Sequence, residues 1–171
     1  MSVPPTAPPR LDEATLGTRP PLHDGGDCNE VVGLAALPTA IPLVRSFVRA
    51  KLSAWGVETD HGWECQQVLS EFVTNAFDVT GESLAGESLD LDGLAMILVQ
   101  LRISAKHLIV EVRDFGDGRP EIPATGVNDE GGRGLRLATM LAGKWGWYPV
   151  TAPSRGKVVW ASWALDRKAA S

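Results

Sequence analysis

Ser70–Glu71–Phe72–Val73–Thr74–Asn75–Ala76 is the stretch on which the fold turns. Around it Val68, Leu69, Phe72, Val73, Ala76 and Phe77 recur at helical spacing, which predicts a helix from about Thr59 to Val79 with that stripe buried. Glu71 and Asn75 stand one helical turn apart and so project from one side, beside the stripe. An Asn side-chain oxygen is a hard ligand that Mg²⁺ accepts, alongside water and substrate phosphates. A Glu one turn away can take a proton from water or from an incoming hydroxyl. Taken alone, such a pair is more often a solvated helix face.

Two later stretches give the pair a context. Val112–Arg113–Asp114–Phe115–Gly116–Asp117–Gly118–Arg119–Pro120 follows an apolar strand and sets a carboxylate ahead of two glycines spaced by one residue. A buried Asp114 would accept a hydrogen bond from an adenine amino group, and Gly116 and Gly118 would let the backbone approach the ring. By itself the stretch reads more readily as a turn. Farther on, Gly131–Gly132–Arg133–Gly134–Leu135 opens an expected short helix over Leu135–Leu141. Free N–H groups at a helix N-terminus bind phosphate, and Arg133 would add a charge-assisted contact. A flexible loop ahead of a helix suits the same residues equally well.

The remaining elements are read outward from these. Val31–Leu37 suits an opening strand. A helix then follows, with Thr39 as its cap, Pro42 in its first turn and Gly56 at its end. Its apolar face is Val44, Phe47, Val48, Leu52 and Trp55. Ala95–Ile103 and His107–Asp114 form a hairpin through Ser104–Ala105–Lys106, and Trp145–Val150 and Val158–Leu165 a second strand pair. The acidic near-repeat GESLAGESL within residues 81–93 is expected on a surface loop. The order β-α-α-β-β-α-β-β implies an α+β two-layer sandwich, with a mixed or antiparallel sheet and its helices on one face. The candidate site then falls between sheet and helices.

A chain of 171 residues has room for one such domain and a tail. Six of the twelve prolines fall in residues 1–30, which carry almost no apolar clusters and are expected to form a disordered tail. The folded domain is expected over 31–166, with 167–171 as a short C-terminal end. A net charge of −5 and a pI of about 5.2 argue against a protein that grips nucleic-acid phosphates directly. No apolar run approaches the ~20 residues of a membrane span, and the N-terminus lacks the basic-then-apolar pattern of a secretory signal. Two cysteines, Cys28 and Cys65, imply no disulfide framework, so a reducing cytoplasm fits best.

Some motifs mislead. Asp114–Phe115–Gly116 spells the DFG of eukaryotic protein kinases, but no HRD loop, VAIK strand or Gly-rich loop precedes it. Gly116–Asp117–Gly118 runs into Arg119–Pro120 where a dinucleotide fold would start a helix. A P-loop sequence is absent, and His23, His61 and His107 are scattered.

Together and in this order, SEFVTNA, RDFGDGRP and GGRGL resemble the N, G1 and G2 boxes of the ATPase fold shared by sensor histidine kinases, gyrase B, Hsp90 and MutL. With the flanks RSFVRAKLSAWG, GRGLRLATMLAGKWG and GKVVWASWAL, the likeness is to small actinobacterial anti-sigma-factor serine kinases, over residues 31–166. The resemblance implies ATP and Mg²⁺ as cofactors. Asn75 matches the magnesium-binding Asn, Glu71 the general base and Asp114 the adenine-reading Asp, with Gly116 and Gly118 beside the base. Gly132, Arg133, Gly134 and Leu135 match the turn at the phosphates, and 119–131 the lid. It further implies a sigma factor and an anti-anti-sigma serine substrate as partners, and a possible homodimer. The alternative is a non-catalytic, ATP-gated protein-binding module. Two departures bear on catalysis: Val79 stands where the family often has His, and Val158 follows Gly156–Lys157 where Thr is frequent.

Overall fold

Apolar residues at every second position, Ile97, Val99 and Leu101, then Leu108, Val110 and Val112, turn one face of each strand into the core. The computed structural model describes residues 19–20, 28–57, 61–83, 95–104, 106–116, 120 and 133–165, with backbone alone at 79–83 and 133. Among these residues the elements run β1 (Cys28–Ala35), α1 (Ala40–Ala54), α2 (His61–Ser83), β2 (Met96–Ser104), β3 (His107–Asp114), α3 (Arg133–Leu141), β4 (Lys144–Pro149) and β5 (Lys157–Ala164). The strands form one sheet in the order β1-β2-β3-β5-β4. Every neighbouring pair is antiparallel, so of the two sheet types the sequence allowed, the antiparallel one forms.

The helices cover the face that carries Val99, Leu101, Val110, Val112, Ala161 and Trp163. Against it pack Val44 and Val48 from α1, and Val68, Leu69, Phe72 and Val73 from α2, all buried. Each aliphatic side chain buried this way contributes about 1.5–3 kcal/mol. Phe47 and Trp55 only border this core. The result is the expected α+β sandwich.

Boundaries differ from expectation where backbone hydrogen bonding overrides a local signal. Thr39 does not cap α1 through its side chain, because its φ of −65° and ψ of −15° are already helical. The entering turn is closed instead by the Ala40 N–H donating to the Leu37 carbonyl. Gly56 ends α1 as expected. Its φ of +64° allows the Gly56 and Val57 amides to reach back to the Ser53 and Leu52 carbonyls. Helix α2 continues through Gly81 to Ser83, so the first residues of the acidic near-repeat are helical. The rest of that repeat lies outside the described residues.

β1 starts at Cys28, three residues before the expected strand, because β2 offers ladder partners from Ala35↔Met96 back to Cys28↔Ile103. Arg19 and Pro20, within the expected tail, also meet the folded body. Pro20 is buried, and the Arg19 guanidinium lies 5.0 Å from the centre of the Tyr148 ring. Tyr148 belongs to the opposite face of the sheet, where its hydroxyl donates to Glu111 Oε1 at 3.1 Å and Arg102 pairs with Glu111 Oε2 at 3.0 Å. Burial first, then the Glu111 charge and hydrogen bond, push the Tyr148 phenol up to about 12. No helix among the described residues is long and apolar enough to cross a membrane.

Candidate functional site

Asp114 is the last residue of β3, on the strand face shared with Val110 and Val112, so alternation points its carboxylate toward the helices. It is buried, at 2% exposure. Its Oδ1 accepts the Gly116 N–H at 3.0 Å, which bends the chain out of the strand in an Asx-type turn. The same oxygen accepts from Lys157 Nζ at 3.0 Å. Among the described residues Oδ2 takes neither contact. Burial pushes the Asp114 carboxyl above the ordinary range, and the Lys157 charge, its hydrogen bond and the Gly116 amide pull it only part of the way back.

Lys157 was not among the residues singled out from the sequence. It opens β5 as the register partner of Asp114, and its side chain is 7% exposed. The preceding Gly156 has φ of +103°, and a Cβ there would collide with the Asp114 carbonyl oxygen. Only glycine lets the chain enter β5 this close to Asp114. The glycine ending the loop at 153–156 was the available signal, but it does not say which residue lies opposite.

The first and third stretches meet within the helical layer. Helix α2 packs against both β3 and α3. Glu71 and Asn75 lie under the first turn of α3, where Gly134 is buried against them. A Cβ on Gly134 would lie 2.8 Å from Glu71 Cβ, 3.1 Å from Glu71 Oε2 and 3.1 Å from the Asn75 amide nitrogen. The close approach of two helices is therefore what demands glycine at this position. Ser70, just before Glu71, is held by Arg45 Nε at 2.8 Å and donates to the Gln66 carbonyl at 2.6 Å, tying α2 to α1.

At the other end of α3, Trp145 Nε1 donates to Thr139 Oγ1 at 2.9 Å and Trp163 Nε1 to the Leu141 carbonyl at 2.8 Å. These bonds fix the helix on the sheet. Leu135 sends its side chain into the core, at 3% exposure, leaving only its backbone to a ligand. Gly116 is buried behind Asp114, whereas Gly118, Gly132 and the Arg133 side chain lie outside the described residues, as does the expected lid apart from Pro120. The structure thus sets Asp114 with Gly116 at one sheet end, and Glu71 and Asn75 against Gly134 at the start of α3. Chemically this gives a buried carboxylate at one sheet end and, beneath a helix N-terminus, a side-chain amide beside a second carboxylate, groups able to accept from a base and to meet a hard cation.

Comparison with known proteins follows the same outline. Residues 34–163 match the family model described as the histidine kinase-like ATPase domain. Among solved structures, the RsbU and RsbW domains of Rv1364c from Mycobacterium tuberculosis are similar, with a TM-score of 0.53 and 19% identity. The match covers 81% of this chain and 32% of that one, a likeness of fold. No curated protein matches the sequence significantly. With three quarters of its length under one family model, from β1 to β5, the chain belongs to the histidine kinase-like ATPase domain family.

Proposed function

We propose that this ATP-binding domain is a regulatory serine kinase of the anti-sigma type. Family membership implies ATP as the ligand. The observation that carries the kinase reading is the packing of Glu71 and Asn75, one turn apart on α2, against Gly134 in the first turn of α3. There a carboxylate and an amide stand beside the N–H groups of a helix N-terminus, the arrangement phosphoryl transfer calls for.

In this reading Asp114 accepts from the adenine amino group, with Gly116 and Gly118 beside the ring. Gly132, Arg133, Gly134 and Leu135 offer backbone amides, and Arg133 its guanidinium, to the phosphates. Asn75 holds Mg²⁺ through its side-chain oxygen, a hard donor suited to that ion. The metal would supply charge neutralisation on the phosphates. Glu71 takes the proton of the attacking serine hydroxyl as its oxygen bonds to the γ-phosphorus and the bond to the leaving ADP oxygen breaks. The serine belongs to an anti-anti-sigma protein, a sigma factor is the alternate partner, and the working unit is a homodimer in the cytoplasm.

A second reading, an ATP-gated binding module without transfer, is favoured by Val79 and Val158 at positions where the family often carries His and Thr. Incubation with γ-labelled ATP, Mg²⁺ and a candidate anti-anti-sigma protein separates them. Label on a serine of the partner supports the kinase. Tight ATP binding with no label on any such partner supports the module.

A further inference from the structure

The Asp114–Lys157 pair is not explained by the fold alone. Both side chains are almost wholly buried, at 3% and 7% exposure, and removing two charges from water costs more than their attraction reliably returns. Two aliphatic residues would close this end of the β3–β5 ladder at lower cost. The contacts are also lopsided. Gly116 and Lys157 both donate to Oδ1, so among the described residues neither engages Oδ2. An ammonium has three N–H donors, and the bond of Nζ among those residues goes to Asp114 alone. Among the described residues, a carboxylate oxygen and ammonium donors that the pair itself does not use therefore sit side by side on the helix-covered face of the sheet.

That pattern complements one edge of a purine. Adenine presents an amino donor at N6 next to a ring acceptor at N1. We propose that Lys157 is a second base-reading residue, its ammonium donating to adenine N1 while Asp114 Oδ2 accepts from the N6 amino group. This rests on the reading of Asp114 as the adenine contact. With a neutral residue at 157, N1 would be left to water, which donates or accepts indifferently. A fixed cation makes the position donor-only and rejects any base without an acceptor there. Gly156 is part of the device, since its positive φ lets β5 begin close enough to Asp114 for the lysine to reach the carboxylate.

The test is a titration of ATP and 1-deaza-ATP, which lacks the N1 acceptor, into the wild type and Lys157→Met, with Asp114→Asn alongside. The wild type should bind 1-deaza-ATP about tenfold or more weakly than ATP, as the loss of a charge-assisted hydrogen bond requires. Lys157→Met should bind the two about equally. No penalty in the wild type, or the same penalty in both proteins, overturns the proposal. So does a wild type that prefers GTP to ATP, because the ammonium would then face O6. Full ATP affinity in Asp114→Asn removes the adenine reading itself. Loss there, with the penalty persisting in Lys157→Met, removes only the role of Lys157. Should Lys157→Met fail to melt cooperatively, the nitrogen-15 resonance of Lys157 Nζ in the wild type decides. It should move with ATP and stay with 1-deaza-ATP, and an equal response to both overturns the assignment.

Discussion

Asp114 and Lys157 are register partners across the β3–β5 ladder, and their side chains meet at 3.0 Å on the helix-covered side of the sheet. The carboxylate that reads as a turn residue in the sequence is thus a buried charge held by a cation from a strand more than forty residues away. Its electrostatics make the first prediction.

Burial raises the Asp114 carboxyl above the ordinary carboxylate range. The folded protein therefore holds this proton more tightly than the unfolded chain does. By linkage, the group's contribution to stability is fully present below the unfolded carboxyl's pKa and is lost as pH rises through the folded one. Nucleotide binding through the proposed adenine contact has the opposite sign, because the ionised carboxyl is the stronger acceptor for an amino group. ATP affinity should fall on acidification at a pH above that of an ordinary carboxyl, and this component should vanish in Asp114→Asn. Calorimetric titrations across pH check it, and identical pH profiles for the two proteins would refute it.

Gly134→Ala sets two effects against each other. Alanine is the better helix former by about 1 kcal/mol. Its Cβ, however, would lie 2.8 Å from Glu71 Cβ, close to the α2 backbone rather than at a flexible side-chain tip. Overpacking of this kind costs about 1–3 kcal/mol, so a net loss is expected in urea denaturation. A stabilised variant would mean that α3 does not sit this close to α2.

The fold was largely legible because its signals are local. The stripe of Val68, Leu69, Phe72 and Val73 and the alternation in β2 and β3 identify elements without reference to partners. What escaped was pairwise. Lys157 looks like a solvated strand-end lysine until register sets it opposite Asp114. Gly134 looks like room for phosphate until α2 is seen packed against it. The start of β1 at Cys28 depends on how far β2 extends as a partner, which the composition of residues 28–30 does not disclose. Asp114 and the Glu71/Asn75 pair were visible as motifs, but their burial and neighbours are properties of the packed sheet.

Arg19→Ala tests whether the segment ahead of β1 contributes to the body. Removing the guanidinium over Tyr148 should cost about 0.5–1 kcal/mol in denaturation. The Arg19 charge also lowers the Tyr148 phenol from where burial and Glu111 set it, so its loss should push the phenol higher still. Ultraviolet titration of the tyrosine, the single one in the chain, reads this directly. Unchanged stability and titration would show that the contact carries no energy.

Glu71 and Asn75 share a helix face but should fail differently. Glu71→Gln keeps shape and removes the carboxylate proposed as the base, so ATP affinity should hold while serine transfer slows by about 10²–10⁴-fold. Asn75→Ala should weaken Mg²⁺-dependent ATP binding and transfer together. Parallel calorimetry and label transfer distinguish the two. Equal loss of binding in both variants would argue that Glu71 is a binding residue rather than a base.

The most direct test of the ATP site is the affinity of ATP for Asp114→Asn beside the wild type, measured by titration calorimetry with both proteins shown to be folded. The exchange keeps the size of the side chain and removes the charge proposed to receive the adenine amino group. The account predicts an affinity about tenfold or more weaker in the variant, the loss of a hydrogen bond to a charged acceptor. An Asp114→Asn protein that binds ATP as tightly as the wild type would contradict it, and would move the nucleotide away from the end of β3.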